Sequence, residues 1–305
     1  ASIIDLIQRS ISPIKEFASK ISSIQRAKSG LIRIQEFNKD IDLLPTVAFD
    51  SSESQFDFER IDVNINSFNY PETKIEMEQR KSFALKNINF SAKAGELVGI
   101  VGLSGSGKST LLKILATDIL SSDSLIKLHT GNGNTLDFSA NHIDNLDSYK
   151  RQVSIVSQDS HVFTETLEFN ITLASESTDK FKDFWAKTNE MIPYIKKWGI
   201  EPNTIINPRE LSLGQKQLLS ALRSCYLTKP IVLFDEISSG LDSELEEALR
   251  KLVLIIQGHS LTVIVAHRIE TIVNANKIIV LSNGETESIG THSQLLENSA
   301  TYQEF

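Results

Sequence analysis

Gly102-Leu103-Ser104-Gly105-Ser106-Gly107-Lys108-Ser109 decides the fold. The stretch completes G-x-x-x-x-G-K-[ST], the phosphate loop, and its surroundings agree with that reading. The apolar run Leu97-Val98-Gly99-Ile100-Val101 precedes it, and Thr110-Leu111-Leu112-Lys113-Ile114-Leu115-Ala116 follows at helical spacing. A strand that hands a glycine-rich turn to a helix start lets backbone N–H groups face inward around an anion. The helix N-terminus adds partial positive charge there. In this frame Lys108 reaches the β- and γ-phosphates of a bound triphosphate, and the Ser109 hydroxyl reaches Mg²⁺.

The rest of the chain suits such a domain. Its 305 residues are 40% hydrophobic and 23% charged, enough for one large domain with an extension or two ordinary ones. A net charge of −8 argues against a general nucleic-acid surface, which carries basic excess. The one cysteine, Cys225, excludes an internal disulfide and reads as a small buried apolar residue. No run of eighteen apolar residues is present, so no bilayer span is expected. The opening Ala1-Ser2-Ile3-Ile4-Asp5 lacks a basic n-region, so no signal peptide is expected; the absent initiator Met hints at a longer polypeptide.

Three regions are expected along the chain. Residues 1–45 repeat apolar positions at three-four spacing, Ile4, Ile7, Ile11, Ile14, Ala18 and Ile21, then Ile24, Ala27, Leu31 and Ile34, with a kink at Ser12-Pro13. That pattern predicts a long amphipathic helix, whose stripe needs a partner surface. Residues 46–60 read as a linker. From residue 61 to 305 strand and helix signals alternate: Ile61-Val63-Ile65 and Leu85-Ile88-Phe90 as half-buried strands, Ile231–Phe234 and Leu261–Val265 as strands buried on both faces. Gly131-Asn132-Gly133-Asn134 is a hairpin tip between Leu125–His129 and Thr135–Phe138.

Two further stretches carry chemistry. Ile231-Val232-Leu233-Phe234-Asp235-Glu236 is an apolar strand ending in two carboxylates. Asp235 suits the Mg²⁺ side of a phosphate-loop enzyme, and Glu236 suits a general base for an attacking water. Leu211-Ser212-Leu213-Gly214-Gln215 opens a helix, with Ser212 either a plain N-cap or half of a second phosphate site.

The ordered set resembles the ATP-binding cassette family: the phosphate loop at Gly102–Ser109, Gln158, a signature at Leu211–Gln215, Asp235-Glu236, Ser239-Gly240-Leu241-Asp242, and His267. The resemblance covers roughly 61–305. It implies an α/β fold with a mostly parallel phosphate-loop core, an antiparallel β subdomain and a helical subdomain carrying the signature. ATP and Mg²⁺ are the implied cofactors. Gly102, Ser104, Gly105, Ser106, Gly107, Lys108, Ser109 and Thr110 then hold nucleotide, and Tyr70 is similar to the aromatic that stacks on adenine. Ser109, Gln158 and Asp235 serve the metal, and His267 resembles the switch histidine that contacts the γ-phosphate beside Glu236. Family members work as head-to-tail pairs, so Ser212, Gly214 and Gln215 clamp ATP held by another subunit, and Asp242 links the halves.

The segment His161-Val162-Phe163-Thr164 through Asn170-Ile171, the ending Gly290–Leu296 and the leader Ser12–Ile34 are similar to the exporter branch. That implies a membrane domain as partner, a second cassette that is identical or different, no nucleic acid, and a place on the cytoplasmic face of a membrane. The alternative is a soluble cassette ATPase acting on nucleic acid or ribosomes, which the acidic charge disfavours. The chain departs from the family at Leu213, where glycine is usual, at Lys216, where arginine is common, and over Ile205–Glu210.

Overall fold

The computed structural model describes residues 57–70, 84–121, 123–139, 146–157, 159–174, 178–236 and 241–304, with Lys20, Gln25, Lys28 and Leu31 before them. The chain divides into two compact units, Ala1–Gln55 and Phe56–Phe305. Most of the expected leader and linker lies outside the described residues; the four described positions are helical and exposed. Among the described residues no helix is long and apolar enough to cross a membrane.

The second unit is α/β. Its strands are β1 (Phe58–Asn69), β2 (Ala84–Lys93), β3 (Leu97–Val101), β4 (Asp123–Thr130), β5 (Thr135–Phe138), β6 (Val153–Val156), β7 (Ile231–Asp235), β8 (Leu261–Val265), β9 (Lys277–Ser282) and β10 (Glu285–Gly290). Its helices are α1 (Lys108–Leu115), α2 (Leu146–Gln152), α3 (Leu167–Thr172), α4 (Asp179–Met191), α5 (Pro193–Trp198), α6 (Leu213–Leu227), α7 (Ser243–Gln257), α8 (His292–Asn298) and α9 (Ala300–Gln303). The strands join in one sheet of order β5-β4-β1-β2-β10-β9-β3-β8-β7-β6. Neighbours from β9 through β3, β8, β7 to β6 run parallel. On the other side β1 pairs antiparallel with β2 and β4, β4 with β5, and β10 with β9. The expected core and antiparallel region are therefore halves of one mixed sheet, joined where β10 meets β2 at the pair Glu285↔Lys86.

Each half follows from its residues. Along β3, Leu97 and Val101 pack into one hydrophobic cluster, while Val98 and Ile100 pack into another on the opposite face. β7 divides likewise, with Val232 and Phe234 on one side and Ile231 and Leu233 on the other. A strand covered on both faces reads as an unbroken apolar run, which is why these segments were visible in the sequence. In β1 and β2 the simple alternation fails partway. Leu85 and Ile88 are both buried although three residues apart, and so are Ile65 and Phe68 on the paired strand. The change of phase lies at Asn66 and Asn87, and Asn87 has φ +53, which twists both strands and resets their faces together.

The signature helix α6 buries Leu218, Leu219 and Leu222 against the cluster that holds Leu245, Leu249 and Leu252 of α7. Cys225 is buried as expected, and burial pushes its thiol up to about 11. The β9–β10 connection is a two-residue turn. Asn283 and Gly284 have φ +50 and +81, the pattern of a type I′ hairpin. Gly284 also gives its N–H to the Ser106 carbonyl at 3.1 Å, so this hairpin props the phosphate loop from behind.

A Cβ at Gly284 would collide with the Ala84 carbonyl, and the left-handed φ strains any other residue. Gly284→Ala is therefore expected to lower unfolding free energy by about 1–3 kcal/mol, read from the urea midpoint at constant slope.

Candidate phosphate-loop site

The site begins where β3 ends. Gly102, Gly105 and Gly107 have φ +151, +80 and +108, so the chain leaves the strand in conformations closed to most side chains. At Gly102 the constraint is also spatial, since an added Cβ would strike the Leu281 carbonyl and lie 2.6 Å from Ser106 Oγ. Gly107 is the N-cap of α1 and supplies no capping side chain. The first N–H groups of that helix thus have no side-chain acceptor, and they open onto the loop.

Lys108 is 5% exposed and folds back over the loop, donating to the Gly102 and Leu103 carbonyls at 2.6 and 3.1 Å. Burial pulls its pKa down, and the nearby Glu236 carboxylate opposes that fall. Ser106 Oγ is buried without a hydrogen-bond partner. Uncapped N–H groups, an unpartnered buried hydroxyl and a desolvated ammonium held by neutral carbonyls form a donor set suited to an anion. A polyphosphate fits it. Ser104 and Ser109 are exposed on the same loop, and Thr110 is buried at the start of α1.

Tyr70, at the end of β1, comes alongside that helix: its hydroxyl lies 3.2 Å from Thr110 Oγ1, and its ring meets Phe68 edge-on at 5.0 Å. The residue is 42% exposed. Asp235 closes β7, and Glu236 follows it with φ +57. His267, two residues beyond β8, brings Nε2 to 3.7 Å from Glu236 Oε2. β7 and β8 are parallel neighbours, with Asp235 opposite Val265, so the sheet delivers both groups to one edge. Burial raises the Asp235 pKa, and the Glu236 charge raises it further against Lys113 and His267.

The signature residues hold one another. Ser212 caps α6 through the Gln215 N–H at 3.2 Å, and Gln215 Oε1 accepts from the Ser212 N–H at 3.0 Å, a complete capping box. Gly214 is buried where the starts of α6 and α7 touch; an added Cβ would clash with Leu241 and sit 2.6 Å from Leu245 Cδ2. Leu213, the departure from the family pattern, is 49% exposed on the first turn. Asp242 caps α7, accepting from Leu245 N–H at 2.9 Å. Gln158, Ser239 and Gly240 lie outside the described residues.

Two residues not anticipated from the sequence also serve this region. Gln217 of α6 donates Nε2–H to the Glu236 carbonyl at 2.8 Å. Its position on the apolar stripe with Gly214, Leu218 and Ala221 was the available signal, since a buried amide needs a partner. Arg223 of the same helix donates to the Asn170 and His161 carbonyls at 2.7 and 3.1 Å, and Asn170 in turn brackets Phe163. This pins the loop that follows the Gln158 segment onto α6. A cavity of about 460 Å³ lies elsewhere, between α3 and the turn at Pro202-Asn203.

A family model described as ABC transporter matches residues 85–239, just over half of the chain. A Staphylococcus aureus protein with the name "Putative multidrug export ATP-binding/permease protein" is 34% identical over 249 residues, covering 80% of this chain and 40% of that protein. This chain belongs to the ABC transporter family. The Toxoplasma gondii protein "ABC transporter ATM1" is 35% identical over 226 residues, covering 73% of this chain and 19% of its own. Among solved structures, one titled "Structure of a bacterial Atm1-family ABC exporter with ATP bound" aligns with a TM-score of 0.68 at 26% identity, covering 91% of this chain and 46% of that one. The ABC domain described here thus spans well under half the length of these curated relatives.

A carboxyl titrating higher in the folded than in the unfolded chain costs stability once ionised. The penalty is absent below the ordinary carboxylate value and complete above the raised one. Asp235→Asn is therefore expected to raise the melting temperature of the nucleotide-free domain at neutral pH by a few degrees, with the gain fading in acid; calorimetric melts across pH check it.

Proposed function

We propose that the chain is the ATP-hydrolysing motor of an exporter, working at the cytoplasmic face of a membrane beside a membrane domain. The observation that carries this is the Glu236–His267 pair at 3.7 Å, set beside a phosphate loop with an unpartnered buried hydroxyl and a desolvated lysine. Family membership and the names of the relatives support the exporter branch over a soluble ATPase on nucleic acid or ribosomes.

In this reading ATP phosphates lie along Gly102–Thr110, with Lys108 neutralising the β- and γ-phosphate charge. Tyr70 offers its exposed ring to adenine. Ser109, Asp235 and Gln158 would hold Mg²⁺, which when bound draws off charge from the phosphate oxygens. Glu236 takes a proton from the attacking water, and His267 orients that water and the γ-phosphate.

Ser212, Gly214 and Gln215 would close on ATP held by a second cassette, identical or different, in a head-to-tail pair. The Ser212 N–H and hydroxyl now engaged with Gln215 supply the first contacts. Leu213 presents its N–H but also a branched side chain, which makes this clamp looser than one with glycine. Asp242 would then link the two halves. Opening after hydrolysis resets the membrane domain.

Glu236→Gln is expected to lower ATP turnover by roughly 10²–10⁴ while leaving ATP affinity intact. Lys108→Ala is expected to weaken nucleotide binding by roughly 10- to 100-fold, the worth of a charge-assisted contact. Phosphate release and titration calorimetry measure the two. Normal turnover in the first variant or unchanged affinity in the second contradicts the assignment.

A further inference from the structure

Glu236 has to do two things that conflict. Its carboxylate must reach His267, yet it follows directly on β7, where Phe234 faces the buried cluster. Side chains alternate along a strand, so an extended Glu236 would share the face of Phe234 and point into the core. The backbone instead turns to φ +57. Glycine takes that conformation freely but has no carboxylate; an L-residue holds it only when its surroundings enforce it.

A side chain of α6 meets this turn. Gln217 is 2% exposed, and its amide donates to the Glu236 carbonyl at 2.8 Å, at the peptide whose orientation the left-handed turn sets. Gln217 lies in the second turn of the helix whose N-cap is Ser212 and whose first turn holds Gly214. One short, rigid segment therefore joins the signature to the backbone of the base.

We propose that Gln217 is a positioning residue for hydrolysis: it holds Glu236 in the left-handed turn that aims its carboxylate, so signature and base of one chain move together. The inference rests on Glu236 being the base. In a head-to-tail pair Ser212 touches nucleotide held by the second cassette, whereas Glu236 acts on nucleotide held by its own. Gln217 then carries the closure of one site to the base of the other.

The test uses the 305-residue chain with Gln217→Met, which keeps the reach without a donor, and Gln217→Asn, which keeps the amide one methylene short. Each variant is expected to lose roughly 10- to 100-fold in kcat, the effect of a misplaced catalytic group, with KM and calorimetric ATP affinity within about twofold of the parent. In a Glu236→Gln background, Gln217→Met is expected to add no further loss, because its effect runs through that carboxylate. Parent-like kcat in both variants overturns the inference. So does a full additional loss in the Glu236→Gln background, which marks an amide that only supports the fold. If Glu236→Gln itself turns over normally, the assignment of the base has failed instead.

Discussion

Where Gly102 passes beneath the Leu281 carbonyl there is no room for a side chain, and the phosphate loop takes its shape from that approach. β3 must be buried on both faces to sit at the centre of the sheet, and α1 must start at once to return over it. The turn between them has to fit under β9 and against the hairpin that gives the Gly284 N–H to Ser106. Left-handed glycines meet that demand, and the same turn leads directly into the uncapped start of α1. Anion binding is thus a by-product of a packing solution.

The charged groups around the loop carry the opposite cost. Lys108 is held almost without water against carbonyl oxygens, and Asp235 titrates above the ordinary range because of burial and the adjacent Glu236 charge. Neither arrangement favours the free domain. In the proposed reading phosphates would relieve Lys108 and a cation would relieve Asp235, so the fold stores part of that binding preference as discomfort in the free domain.

How far the sequence could be read depended on whether a residue's role was local. The strand–loop–helix around Lys108, the runs at β7 and β8 and the hairpin at Gly131 were legible, because periodicity and turn chemistry act over a few residues. The cap role of Ser212 was legible in the same way. The proximity of Glu236 and His267 came only from resemblance, since strand order is a long-range property. The phase change at Asn66 and Asn87 was hidden: an alternating pattern cannot announce where two paired strands twist together. Gln217 sat in plain view on an apolar stripe, but its partner lies across the fold. Closure of two halves into one mixed sheet was invisible too, because it rests on the single pair Glu285↔Lys86.

That slender ladder has a mechanical meaning. Backbone bonding between the two halves is sparse, and the hydrophobic cluster containing Ile65 and Ile88 with Val98 and Leu281 supplies most of the cohesion. Side-chain seams yield by sliding where backbone ladders resist. Tyr70 rides on one bank of this seam and Lys108 on the other. In the proposed reading, a base at Tyr70 and a triphosphate at Lys108 would be met by separate halves of the same sheet, linked by this side-chain seam and by the Tyr70–Thr110 contact.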